Sequence, residues 1–227
     1  MCIYKSRKKE KSSLKYASAL KLIENNNIST LKKNIKILVV DDESDDIYQV
    51  LKERQYDVYY KSDMTYSVEA EPFEIIIMDI RGVAKRLHSS MEGFSLACEV
   101  KNRYPLKRVC CYSGSIHPEI SEKLADNKID AFFLKDLDMD KMCNKIDKLI
   151  IEYVDYHKQW EILRNQLVKS GINEHDINII KEAYEDGFSN GNIKNLNNVV
   201  ADTLKNGSTL LNITSSIISL MKVLAVN

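Results

Sequence analysis

Apolar residues fall into short unbroken blocks along the first two thirds of the chain. Ile35-Lys-Ile-Leu-Val-Val40, Glu74-Ile-Ile-Ile-Met78, Arg108-Val-Cys-Cys-Tyr112 and Ala131-Phe-Phe-Leu134 have strand length, and helical stretches separate them. That alternation predicts βαβ units and a parallel sheet. From Met139 the period changes: Ile146, Leu149, Ile150, Tyr153, Tyr156, Trp160, Leu163 and Leu167 recur every three or four residues until Ser170-Gly171. One long helix is expected there, closed by a glycine stop. Its stripe needs cover, either from a copy of itself in a coiled-coil-like dimer or from the residues that follow. Residues 172–227 read as all-helical, and Leu210, Ile213, Ile217, Met221 and Leu224 mark a final packing helix. Leu14, Ala17, Leu20 and Leu22 or Ile23 outline an amphipathic helix before Asn25-Asn-Asn27. Three parts follow: a basic, partly helical extension over 1–34, an α/β domain over 35–155, and a smaller helical module over 156–227 for output or oligomerisation.

Composition narrows the setting. The 227 residues carry 33 basic and 33 acidic side chains, enough chain for one α/β domain and a small module. Five cysteines, with Cys110 and Cys111 adjacent inside an expected buried strand, make no disulfide framework and point to a reducing compartment. No apolar stretch reaches the roughly 18–20 residues of a membrane span, and the N-terminus lacks a signal-peptide core. A cytoplasmic protein is expected. Charge is uneven at the start, where residues 1–34 hold nine Lys or Arg against Glu10 and Glu24, read first as a solubilising tail.

The chemistry sits at the strand ends. Asp41 and Asp42 follow the first block, Asp79 the second, Ser113 the third and Lys135 the fourth. In an open parallel sheet the ligand crevice lies outside the carboxyl ends of the strands, so these groups converge. Three carboxylates in one crevice repel each other unless a cation is present. Oxygen ligands without His or Cys favour Mg²⁺, which often shares its shell with a phosphate. A carboxylate beside such a metal, an ammonium and a hydroxyl can accept a phosphoryl group as an acyl phosphate. Taken singly the signals are weaker. Asp41 to Asp46 also reads as the acidic first turn of a helix capped by Asp42 or Ser44, Asp79 and Lys135 as solvated strand ends, and Phe132 as core.

The ordered set Ile37-Leu-Val-Val-Asp-Asp-Glu43, Ile75-Ile-Ile-Met-Asp79, Ser113-Gly114 and Phe132-Phe-Leu-Lys135 resembles the receiver domain of two-component response regulators, over about residues 35–153. The resemblance implies a flavodoxin-like, doubly wound, five-stranded parallel sheet. It also implies that Asp79 is the phosphoacceptor, Asp42 a direct Mg²⁺ ligand, Asp41 an outer metal partner and Arg81 the donor of a backbone carbonyl to the metal. Ser113 and Lys135 would meet the phosphoryl group, small Gly114 would leave it accessible, and Phe132 holds the position of a switch aromatic. A histidine kinase or phosphotransfer protein would be the donor and a downstream protein the recipient of the signal. Such a protein is a signalling phosphoacceptor rather than a conventional enzyme, although it can catalyse its own phosphotransfer and dephosphorylation.

Some positions depart from the family. Asp136 follows Lys135 where a cis proline is usual, removing a rigid turn. The stretch from Asp79 to Gly93 is several residues longer than usual and carries Arg81, Lys85, Arg86 and His88. It reads as a surface loop, with contact to a partner or screening of the site as the other roles. The segment from Asp42 to Asp79 is short, so the second helix should be stunted or absent. Output is expected through the fourth strand, the helix after it and the fifth strand. The opening of the last module, from Ile172 through Gly187 to Ile193, is loosely similar to the helix-turn-helix of LuxR-type regulators. Yet residues 156–227 hold seven basic and seven acidic side chains, a poor footprint for DNA. Protein contacts, including a possible homodimer, are the first expectation. A DNA-binding regulator and a phosphate sink or pseudo-receiver are the alternatives.

Overall fold

The computed structural model describes residues 28–87, 92–114, 129–190, 193–203 and 217. The N-terminal amphipathic segment with its basic cluster, His88, the helix expected between the fourth and fifth strands, and all of the final apolar stripe except Ile217 lie outside them. The described residues form two compact units, residues 29–159 and the residues from Trp160 onward.

The first unit is built on five parallel strands: β1 Lys36–Val40, β2 Asp57–Lys61, β3 Ile75–Asp79, β4 Arg108–Ser113 and β5 Ala131–Leu134. Their order is β2-β1-β3-β4-β5, the flavodoxin-like arrangement, in which the chain reverses direction between β1 and β3 and leaves a crevice there. β3 and β4 are buried along their whole length and β1 beyond Lys36. Strands covered on both faces need continuous apolar runs, which is why these three were legible as blocks. β2 and β5, at the edges, are only partly buried. β2, with Asp57, Tyr59, Tyr60 and Lys61, carries no such block.

Helices cover both faces. On one, Leu38, Val40, Ile76, Met78, Val109 and Cys111 pack with Phe94, Ala97 and Val100 of α3 (Glu92–Arg103). On the other lie α2 (Asp46–Glu53) and α4 (Met139–Val154), and Tyr56, between α2 and β2, donates its Oη to Asp147 of α4 at 2.6 Å. α1 (Ile28–Asn34) buries Leu31, and its Lys32 pairs with Asp147 at 3.1 Å. Between β2 and β3 the second helix is reduced to a 3₁₀ turn, Ser67–Ala70, as its short segment implied. Glu69 fastens that turn by accepting from the amides of Thr65 and Tyr66 and pairing with Lys61 at 2.6 Å. Cys110, Cys111 and Cys143 are buried as thiols, packing as small apolar groups.

The long helix expected from Met139 to Leu167 is two helices. α4 ends at Val154 and α5 runs from Tyr156 to Lys169. Asp155 makes the break, with ψ 98° and a carboxylate that accepts from the amides of His157 at 3.0 Å and Lys158 at 3.2 Å. An aspartate there satisfies orphan amides of the next helix, which the continuous apolar stripe did not betray. The stop at Ser170-Gly171 is as expected. Gly171 has φ +76°, and the bonds Gly171 N to Val168 O and Ile172 N to Leu167 O form a Schellman closure.

In the second unit α6 spans Glu174–Asn190 and α7 Ile193–Thr203. Asn173 caps α6 by accepting from the amide of Asp176 at 3.0 Å. Leu163, Leu167, Ile177, Ile180, Tyr184, Leu196 and Val200 are buried. Trp160 meets the Tyr184 ring at 5.3 Å. The glycine turn of a helix-turn-helix is not made at Gly187, because α6 continues through it to Asn190 with Gly187 buried. Among the described residues no helix is long and apolar enough to cross a membrane.

Candidate functional site

Register brings the strand ends together. Val40 of β1 lies beside Met78 of β3, Asp79 beside Tyr112 of β4, and Ser113 beside Leu134 of β5. Asp41, Asp79, Ser113 and Lys135 therefore leave neighbouring strands at one edge. Asp41, Asp42 and Asp79 each present a carboxylate oxygen within 4.8 Å of the others. Ser113 is buried at the end of β4, and its carbonyl accepts from the Lys135 amide at 2.8 Å. Phe132 sits one residue into β5, partly buried against the core that α3 covers. The Arg81 side chain is exposed while its amide donates to Asp79 Oδ1 at 3.2 Å.

Asp41 is held from every side. Its amide donates to Lys61 O at 3.2 Å, its carbonyl accepts from Tyr60 Oη at 2.6 Å, and its Oδ1 accepts from the amides of Glu43 and Ser44. These bonds fix the turn from β1 into α2 and leave Oδ2 facing the crevice, 3.4 Å from Lys135 Nζ. Asp79 is 3 % exposed, and its Oδ2 is 2.6 Å from Lys135 Nζ. Burial pushes the Asp79 carboxyl up, against the opposing pull of Lys135 and of the Arg81 amide. Lys135 loses some hydration to burial, but the Asp79 carboxylate outweighs this and holds the ammonium above its ordinary value. Glu43 Oε2 is the third acceptor on that ammonium, at 3.3 Å.

The turn after Lys135 manages without a proline. Leu137 N donates to Leu134 O at 3.0 Å, closing it, and Asp136 is exposed to solvent. The ammonium is thus engaged by Asp79, Asp41 and Glu43 and not by its chain neighbour.

The described part of the longer segment after Asp79 lies against Asp42. Val83 and Ala84 are buried, and the Ala84 amide donates to Asp63 Oδ1 at 2.6 Å. Gly82, at φ +76°, lies so near Asp42 that a Cβ there would fall 1.9 Å from Oδ1. Lys85 Nζ pairs with Asp42 Oδ2 at 3.1 Å. Gly93 opens α3 against β3, where a Cβ would fall 1.9 Å from the Asp79 carbonyl oxygen, so only glycine brings that helix to the site. Lys85 and Glu43 are site residues that the strand-end pattern missed. A third carboxylate after Asp41-Asp42 and a lysine in an insertion beside Asp79 were the available signals.

The donor set fits a hard divalent cation. It is all carboxylate, and among the six charged groups Asp41, Asp42, Glu43, Asp79, Lys85 and Lys135 two negative charges are in excess. Asp42, with its side chain 24 % exposed, is more open than Asp41 and Asp79.

No protein-family model matches the chain, and no curated protein matches it. Similar solved structures include a CheY-like response regulator receiver domain from Methanospirillum hungatei JF-1, at 21% identity and TM-score 0.44, covering 52% of this chain and 95% of that one. NtrX from Brucella abortus is 19% identical, with TM-score 0.46, over 60% of this chain and 33% of that one. This chain thus spans about a third of that NtrX chain. Chemotaxis protein CheY4 of Vibrio cholerae is 19% identical with TM-score 0.41, covering 51% of this chain and 98% of that one. The strand order β2-β1-β3-β4-β5, read from this chain itself, is the flavodoxin-like order that receiver domains share.

Proposed function

We propose that this protein is a response regulator of a two-component phosphorelay and that Asp79 is its phosphoacceptor. One observation carries the reading. The buried Asp79 carboxylate, at the end of a central strand, lies 2.6 Å from Lys135 Nζ and within 4.8 Å of the Asp41 and Asp42 oxygens. Asp41, Asp42, Asp79 and the backbone carbonyl of Arg81 would hold Mg²⁺, with Asp41 acting from the outer shell. Bound there, the ion would neutralise charge on the phosphoryl oxygens.

The chain's own groups account for the rest. A carboxylate oxygen of Asp79 attacks phosphorus of a phosphohistidine on a kinase or phosphotransfer protein. The P–N bond breaks with its electron pair going to the imidazole, and a C–O–P acyl phosphate forms on Asp79. Lys135, now paired with Asp79, follows the phosphoryl oxygens, and the Ser113 hydroxyl meets another. Gly114 leaves the approach open. The added phosphate carries about 1.5–2 negative charges, drawing Ser113 inward, and Phe132 turns into the space vacated. That shift is passed to helical protein contacts, with a downstream partner or a second copy of the chain. The buried thiols suit a cytoplasmic setting.

Incubating the full chain with a small phosphodonor and Mg²⁺ should add the mass of one phosphoryl group. Chelator and Asp79→Ala should each abolish it. Lys135→Ala should slow it on the order of 100-fold without unfolding the domain, the usual scale for losing one preorganised charge donor. Addition that persists in Asp79→Ala would overturn the assignment.

A further inference from the structure

Among the described residues two ammonium groups, not one, sit on the acidic triad. Lys135 takes Asp79 and Asp41, while Lys85 takes Asp42 at 3.1 Å. Lys85 comes from the segment inserted after β3, and that segment is fastened on both sides of it. Before it, Gly82 presses on the Asp42 carboxylate, Val83 and Ala84 are buried, and the Ala84 amide bonds to Asp63. After it, Arg86 donates to Thr65 O at 3.3 Å and stacks its guanidinium 4.0 Å over the Tyr66 ring. The lysine is therefore delivered to Asp42 by a built loop rather than by a wandering side chain.

We propose that Lys85 is a tethered counter-ion that competes with the divalent cation for Asp42 and sets how tightly this chain takes up the metal. The proposal rests on the reading of the triad as a metal site. An ammonium and a hard divalent cation seek the same carboxylate lone pairs, and each repels the other at close range. With its side chain 64 % exposed, Lys85 makes a pair of the weak, solvent-screened kind. It weighs against the metal without blocking it. Glu92 and Asp63 also draw on the ammonium where it stands. The loop thus couples metal uptake to its own position: whatever draws Lys85 aside strengthens the site, and whatever presses the loop down weakens it.

The test uses Mn²⁺ as the probe, with its free fraction read by electron paramagnetic resonance in the presence of the full chain. Wild type is compared with Lys85→Met, Lys85→Arg, Asp42→Asn and the Lys85→Met/Asp42→Asn double variant, each checked for its fold by circular dichroism. Lys85→Met should bind about three- to tenfold more tightly at low salt, with the gain shrinking at about 0.5 M salt as screening grows. Lys85→Arg should stay near wild type. In the Asp42→Asn background the gain should vanish. Equal or weaker binding by Lys85→Met, with Asp42→Asn still impaired, would overturn the competition while leaving the metal site standing. No Mn²⁺ binding by either wild type or Lys85→Met would overturn the metal reading and this proposal with it.

Discussion

Single residues here carry charge into places where solvent cannot compensate it, and each such charge has a measurable consequence. Lys107, 3 % exposed just before β4, donates to the carbonyls of Glu71 and Phe73. Burial lowers its pKa from 10.5 to about 8. Between those values the unfolded chain binds the extra proton, so stability rises with pH across that window, and below it the charge costs up to about 3 kcal/mol. Urea unfolding of wild type and Lys107→Met at pH 7 and pH 10 isolates this group, because the titrating thiols and phenols are common to both. Wild type should gain on Lys107→Met as pH rises, whatever constant cost the variant bears from the two carbonyls it leaves without a donor. Parallel pH dependences would contradict the burial of that ammonium. At the acidic crevice the same logic was readable from order alone, since Asp41, Asp42, Asp79, Ser113 and Lys135 each close an apolar block. Lys85 and Glu43 were not selected because no strand end marks them. They reach the site through a turn and an inserted loop, whose course depends on Gly82, Asp63 and Tyr66 rather than on periodicity.

Elements announce themselves in proportion to how they are buried. β1, β3 and β4 were plain because both faces are covered, whereas β2 mixes Tyr59 and Tyr60 with Asp57 and Lys61 at a half-wet edge, so its sequence looks like a loop. The helix boundary at Asp155 was hidden for a different reason. The apolar spacing of Tyr153, Tyr156 and Trp160 continues across it, and only the capping bonds of the aspartate reveal the break. Asp155→Ala should remove those two bonds and cost about 1 kcal/mol of stability to urea, with Asp155→Asn or Asp155→Ser recovering most of it. An unchanged midpoint in Asp155→Ala would mean that packing, not capping, sets the boundary. The same contrast separates Gly171, where a positive φ and the Schellman bonds match its sequence position, from Gly187, a glycine that the surrounding helix absorbs.

At the scale of the whole molecule, the chain carries an α/β unit on a five-stranded parallel sheet and a helical part whose charge is balanced. Residues 156–227 hold seven basic and seven acidic side chains, and α6 runs through the position where a reading helix would have to turn away. The full chain should therefore show only weak, sequence-independent affinity for duplex DNA at physiological salt, and what there is should disappear when residues 1–27, which carry the Lys5–Lys11 cluster, are removed. Tight, sequence-selective binding in a mobility-shift assay would restore the transcriptional reading. The proposed function depends on one covalent event at one carboxylate, Asp79. The most direct measurement is to phosphorylate the full chain with a small phosphodonor, trap the acyl phosphate by borohydride reduction to homoserine, and locate that homoserine by peptide mass spectrometry. A single homoserine is expected, at position 79, absent when Mg²⁺ is chelated. Homoserine at position 41 or 42, or none from a folded, Mg²⁺-supplied protein, would contradict it.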